Sequence, residues 1–154
     1  MRHGVTAVVF SGLAMALAAT AFGQSSEPTP MQTRQSQFRE IGTAFKAIND
    51  ELRKDTPGRF AMGSSARLIA GNLHRVGTLF PPGSGPGAGI KTKAKPNIWT
   101  DRAQFDRLNA SAASEADRLV AIMKGNDLGA IRAQVPVLGA ACKSCHQQFR
   151  AEDS

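Results

Sequence analysis

Apolar residues recur three and four positions apart in four separate stretches of this chain, and that spacing confines it to helices that each bury one stripe. The first stretch carries Phe38, Ile41, Phe45, Ile48 and Leu52 and ends near Asp55, because Pro57-Gly58 cannot continue a helix. The second carries Met62, Ala66, Ile69, Leu73, Val76 and Leu79 and stops at Pro81-Pro82-Gly83. The third takes Thr100 as its N-cap, runs through Phe105, Leu108, Ala112, Ala116, Leu119 and Met123, and halts at Gly125. The fourth opens at Asn126 or Asp127 and carries Leu128, Ile131, Val135, Leu138, Cys142, Cys145 and Phe149. No strand pattern competes. The expected fold is all-α: residues 81–95, rich in glycine and proline, form a long connection that still permits an antiparallel four-helix bundle. Pro136 falls inside the fourth pattern. There it removes a backbone donor and crowds the preceding turn at a cost of about 3 kcal/mol, so a kink or a separate short first piece is expected.

The start of the chain stands apart from these patterns. Arg2 and His3 precede an almost wholly apolar run over residues 5–21, small residues recur at Ala19, Ala21 and Gly23, and the polar Gln24-Ser25-Ser26-Glu27 follows. This is the pattern of a secretory signal peptide, cut after Ala21 or, in the favoured reading, after Gly23. The rival is an uncleaved N-terminal anchor, for which the run is at the short end. Residues 24–154 then make one domain of 131 residues (154 − 23) with a single core. No other stretch is apolar enough to cross a membrane, so no stable membrane insertion is expected. Without Arg2, 18 Lys+Arg face 12 Asp+Glu, spread along the chain rather than clustered. With no aromatic stacking motif beside them, these charges point away from nucleic acid and toward acidic protein partners.

Only two cysteines are present, and they form Cys142-Lys143-Ser144-Cys145-His146. On a helix, positions i, i+3 and i+4 share a face. Two thiols and an imidazole on one face suit one covalently attached haem c: the thiols reach its vinyl groups and His146 supplies the proximal iron ligand. Three rivals are weaker. Zinc ordinarily takes four ligands, and His74 is the only other histidine after the leader. A thioredoxin-like pair needs a βαβ setting with the thiols at a helix N-terminus. A disulfide between i and i+3 would distort the helix that carries it.

Cys-Lys-Ser-Cys-His-Gln-Gln-Phe-Arg at 142–150, Lys95-Pro96-Asn97-Ile98-Trp99 and Arg34-Gln35-Ser36 together resemble class II c-type cytochromes, the cytochrome c′ family, over residues 32–150. The motif's place on the last helix is the strongest part of the likeness. The resemblance implies an antiparallel four-helix bundle, frequently a homodimer through its first two helices, in the bacterial periplasm. It also implies site roles. Phe38 falls where low-spin members carry a ligating Met and high-spin members an apolar residue. Arg34 matches an arginine that meets a haem propionate, Trp99 a tryptophan packed near the haem, and Arg150 a cation beside the proximal imidazole. One turn beyond His146, Arg150 equally suits a solvated helix end.

A phenyl ring has no lone pair to donate, so five-coordinate iron is expected, with Phe38 as a steric gate for small neutral diatomics such as NO and CO. The alternative is a low-spin, six-coordinate electron carrier whose sixth ligand comes from an unexpected residue. Met31, Met62, Met123 and His74 are read as core or surface instead. Lys91, Lys93 and Lys95 form a basic run that suits an acidic redox partner or is simply solvated. No paired carboxylates or nucleophile–base arrangement stands near the motif, so no enzymatic activity is expected.

Overall fold

The computed structural model describes residues 27–125 and 127–152; the expected signal segment, residues 1–23, lies outside them. Among the described residues five helices follow one another: α1 (Pro30–Leu52), α2 (Arg59–Val76), the single turn α3 (Asn97–Thr100), α4 (Arg102–Met123) and α5 (Leu128–Phe149), with a 3-10 turn at Gly77–Leu79. Among the described residues the only β pairing is an isolated bridge between Ala94 and Arg150.

Local chemistry explains the helix ends. Thr29 and Gln32 form a capping box: the Gln32 N–H donates to the Thr29 hydroxyl at 3.2 Å, and the Thr29 N–H donates to the Gln32 amide oxygen at 2.8 Å. Pro30 follows at the first helical position, where its missing N–H costs nothing. Asp127 caps α5 by accepting from the Ala130 N–H at 3.0 Å, in line with the sequence pattern. Thr100 does not cap the third long helix. The chain is already helical from Asn97, Thr100 ends that turn, and Asp101 is the N-cap residue, its N–H bonded back to the Asn97 carbonyl at 2.8 Å.

The helix α5 runs unbroken through Pro136, so it does not form a separate first piece. Pro136 faces solvent, where water can take the place of the lost donor, while Ile131, Val135 and Leu138 on either side are buried against the core and hold both segments in register.

The bundle closes as a square: α1 packs on α2, α2 on α4, and α4 on α5. Cross-helix contacts show that neighbours run antiparallel. Between α1 and α5, Phe38 meets His146, Phe45 meets Gly139, and Arg132 donates to the Leu52 carbonyl at 2.6 Å. Seven residues forward on α1 match seven back on α5, a two-turn ladder. Ile48, Met62, Ala66, Ile69, Ala116, Leu119, Ile131 and Leu138 are wholly buried at its centre.

Candidate functional site

The α1–α5 seam differs from the other three. Its backbones do not approach as closely, and the apolar residues on it are half-buried: Phe38, Phe45 and Leu52 from α1, Cys142 and Cys145 from α5. A Cβ at Gly139 would stand 3.2 Å from the Phe45 ring, so glycine leaves room for that ring at the middle rung.

At the upper rung stand Cys142, Cys145 and His146. Both thiols are free and packed against the core cluster. Burial pushes the Cys142 thiol above its ordinary pKa; Cys145 is pushed up to about 11, chiefly by burial and then by its neighbour Cys142. Such thiols stay protonated at neutral pH, the opposite of a nucleophilic redox pair. The His146 imidazole is shifted down, first by desolvation and then by the charge of Arg150, so its neutral, ligand-competent form is favoured. The Phe38 ring faces it edge-on, with centroids 6.3 Å apart and planes at 63°. Phe38 sits two turns before Phe45 on the α1 stripe, and the antiparallel ladder brings it opposite His146.

Arg150 is close enough to act on His146 electrostatically, but not as one more turn of α5. It is the C-cap residue with extended backbone; its N–H closes the helix on the His146 carbonyl at 2.9 Å, and it bridges to Ala94.

Arg34 is buried within the protein. Its guanidinium donates to Ser84 Oγ at 3.1 Å, Thr92 Oγ1 at 3.0 Å and the Leu79 carbonyl at 3.4 Å, and lies 4.6 Å from the centre of the Phe80 ring. Trp99 belongs to the same assembly. Its indole N–H donates to the Pro81 carbonyl at 2.9 Å, and its ring packs 6.0 Å from Phe80 and against Gly85. Phe80 in turn meets Phe105 edge-on, and Phe105 meets Phe149 edge-on, so one aromatic chain ties the long loop to α4 and to the end of α5. The sequence pattern marked Phe105 and Phe149 as core. It missed Phe80, Ser84 and Thr92, whose roles depend on contacts with residues distant in the chain. His74 bonds Asp117 of α4 at 2.9 Å on the surface, and Met62 is wholly buried, as their patterns suggest.

A family model for cytochrome c′ matches residues 29–150. The chain belongs to the cytochrome c′ family. It is 31% identical over 139 residues to cytochrome c′ of Rhodospirillum rubrum, covering 89% of this chain and 92% of that one. With cytochrome c′ of Rubrivivax gelatinosus it shares 33% identity over 127 residues, 78% of this chain and 92% of that one. The crystal structure of cytochrome c′ from Rubrivivax gelatinosus superposes with a TM-score of 0.67 at 30% identity, covering 79% of this chain and 97% of that one.

Membership in the cytochrome c′ family implies haem c, and the residues present fit it. Two free thiols lie three positions apart on one helix, and an imidazole adjoins them. Among the described residues no three His, Cys, Asp or Glu side chains converge as they would around a single bare ion. Cys142 and Cys145 would hold haem c and His146 would supply its iron ligand. The half-buried seam supplies the apolar walls.

Proposed function

We propose that this cytochrome c′ family protein acts in the periplasm, carrying electrons and reversibly binding NO or CO at a five-coordinate, His146-ligated iron, rather than catalysing turnover. The reading rests on one observation: the ring facing His146 across the seam is Phe38, which has no donor atom.

In this reading Cys142 and Cys145 hold a single haem by thioether bonds, and His146 binds its iron on one side. The group supplies the redox-active metal, and the protein's own residues set its surroundings. Phe38 shields the opposite face with an apolar ring and offers no hydrogen bond, so small neutral diatomics are favoured over anions or larger ligands. Arg150 lowers the basicity of the imidazole and thereby weakens its donation to the metal. Arg34 and Trp99 brace the loop at this end of the bundle. Among the described residues no helix is long and apolar enough to cross a membrane. The homodimer through α1 and α2 that the resemblance suggests would meet a shallow groove between them in which Ala44, Ala47 and the exposed Leu68 are flanked by Ser36, Arg39, Glu40 and Ser65.

Absorption spectra of the purified protein in both oxidation states test the proposal. Broad high-spin bands and uptake of NO and CO by the ferrous form are expected. Sharp reduced α and β bands with no gas uptake would mean a six-coordinate carrier and defeat the five-coordinate reading.

A further inference from the structure

Cationic residues gather at the end of the bundle that carries His146. Residues 91–95 cross that end, fastened on both sides, and Ala94 pairs with Arg150 in an antiparallel bridge. Gln35 Nε2 of α1 donates to the Lys91 carbonyl at 2.7 Å, the Ala151 N–H to the Lys93 carbonyl at 2.8 Å, and the Lys95 N–H to the Phe149 carbonyl at 2.9 Å. Side chains of an extended chain alternate between two faces. The inner face holds Thr92, whose hydroxyl accepts from Arg34, and Ala94, which packs on the core. The outer register therefore falls on the exposed Lys91 and Lys93 and the half-buried Lys95.

Lys95 Nζ reaches the Gln147 carbonyl at 3.1 Å, a neutral partner that leaves its charge intact. Lys143 stands one turn before Gln147 on α5, and Arg39 one turn after Gln35 on α1; both are exposed. The carboxylates nearby are placed differently. Asp101 and Asp106 lie at α4, diagonal to α1, and Asp106 is paired with Arg102 at 2.9 Å. Glu40 accepts from Asn72 at 3.1 Å, on the α2 side. Glu27, just before α1, and Glu152, just after α5, are the other exposed carboxylates at this end among the described residues.

We propose that this end is a docking surface for an acidic redox protein, with Lys91, Lys95 and Lys143 steering a carboxylate-bearing partner onto the mouth of the α1–α5 seam beside His146. The inference rests on the electron-carrier reading above. Like charges around a redox site concentrate an oppositely charged partner there and raise its association rate, an effect that salt removes. The backbone bonds of residues 91–95 hold the cations in place before the partner arrives, so less ordering entropy is lost on docking.

The test uses the haem-loaded protein in stopped flow. The reduced form is oxidised by hexacyanoferrate(III) or by tris(phenanthroline)cobalt(III), and reduction of the oxidised form by a reduced plant-type [2Fe–2S] ferredoxin serves as the acidic-protein arm. The variant K91E/K95E/K143E is compared with R67E/R118E/K124E, which makes the same change in net charge on α2 and the far part of α4. At low salt the patch variant should slow hexacyanoferrate and ferredoxin by about tenfold or more and speed the cobalt complex, while the control changes each rate by less than about threefold. Added salt should erase these differences. Equal slowing by both variants would overturn the proposal, leaving only a net-charge effect. So would patch-dependent binding to phosphatidylglycerol vesicles without any ferredoxin effect, which would make the partner a lipid surface. Failure to exchange electrons with either complex would instead break the carrier reading itself.

Discussion

The α2–α4 seam and the α1–α5 seam are built from the same helical repeat, yet one is a closed core and the other a half-covered slot. Across α2–α4, the small residues Ala66, Ala112 and Ala116 let the helices approach, and Met62, Ile69 and Leu119 are buried between them. Across α1–α5 the matching positions are Phe38, Phe45, Leu52, Cys142 and Cys145, all half-buried, with aromatic rings and thiols where the other seam has methyl groups. Large side chains at successive rungs of α1 hold the backbones apart, and Gly139 gives the Phe45 ring somewhere to go. An apolar stripe therefore does not by itself announce a packed core; side-chain size decides whether the seam closes or receives a flat group.

The most severe way to break this comparison is to remove the covalent anchors. The double variant C142A/C145A should retain no haem through denaturing electrophoresis, read by haem staining, whereas L119A in the closed seam should keep its full complement. F38M comes next. It puts a thioether opposite His146 and should convert broad high-spin bands into sharp six-coordinate ones with reduced CO uptake; unchanged spectra would mean that the 6.3 Å approach to His146 does not define the open face.

Stability separates the seams further. By denaturant titration of the haem-loaded protein, L119A should cost about 2–5 kcal/mol, because a wholly buried Leu leaves a cavity, while L52A on the half-covered seam should cost about 1–2 kcal/mol. R34A strips the donor from Ser84, Thr92 and the Leu79 carbonyl and should cost about 2–4 kcal/mol. If R34A is neutral, the guanidinium does not brace the long loop. G139A should have the smallest effect, within about 1 kcal/mol of the parent: the helix gains propensity, and the Phe45 ring tip must yield at 3.2 Å.

Much of this was legible in the chain. Helix spacing, the Asp127 cap and the Cys142-x-x-Cys145-His146 face depend on residues within four positions of one another, and a helix repeats that geometry wherever it forms. The misreadings came where a distant or flanking segment intervened. Thr100 lost its capping role because Asn97 had already begun a turn, and Pro136 did not divide α5 because packing on both sides outweighed one missing hydrogen bond. Phe80, Ser84 and Thr92 carry no local signal; they matter because Arg34, more than forty positions away, turns inward to meet them.

The sequence by itself determined that the chain is helical and that two thiols and an imidazole share one helical face, since backbone periodicity enforces both. Only the tertiary structure decided which seam stays half-open, that Phe38 stands opposite His146, and that three lysines are fastened across the same end. Those are matters of pairing between helices and loops, set by side-chain volume and by hydrogen bonds that exist only once the bundle has closed.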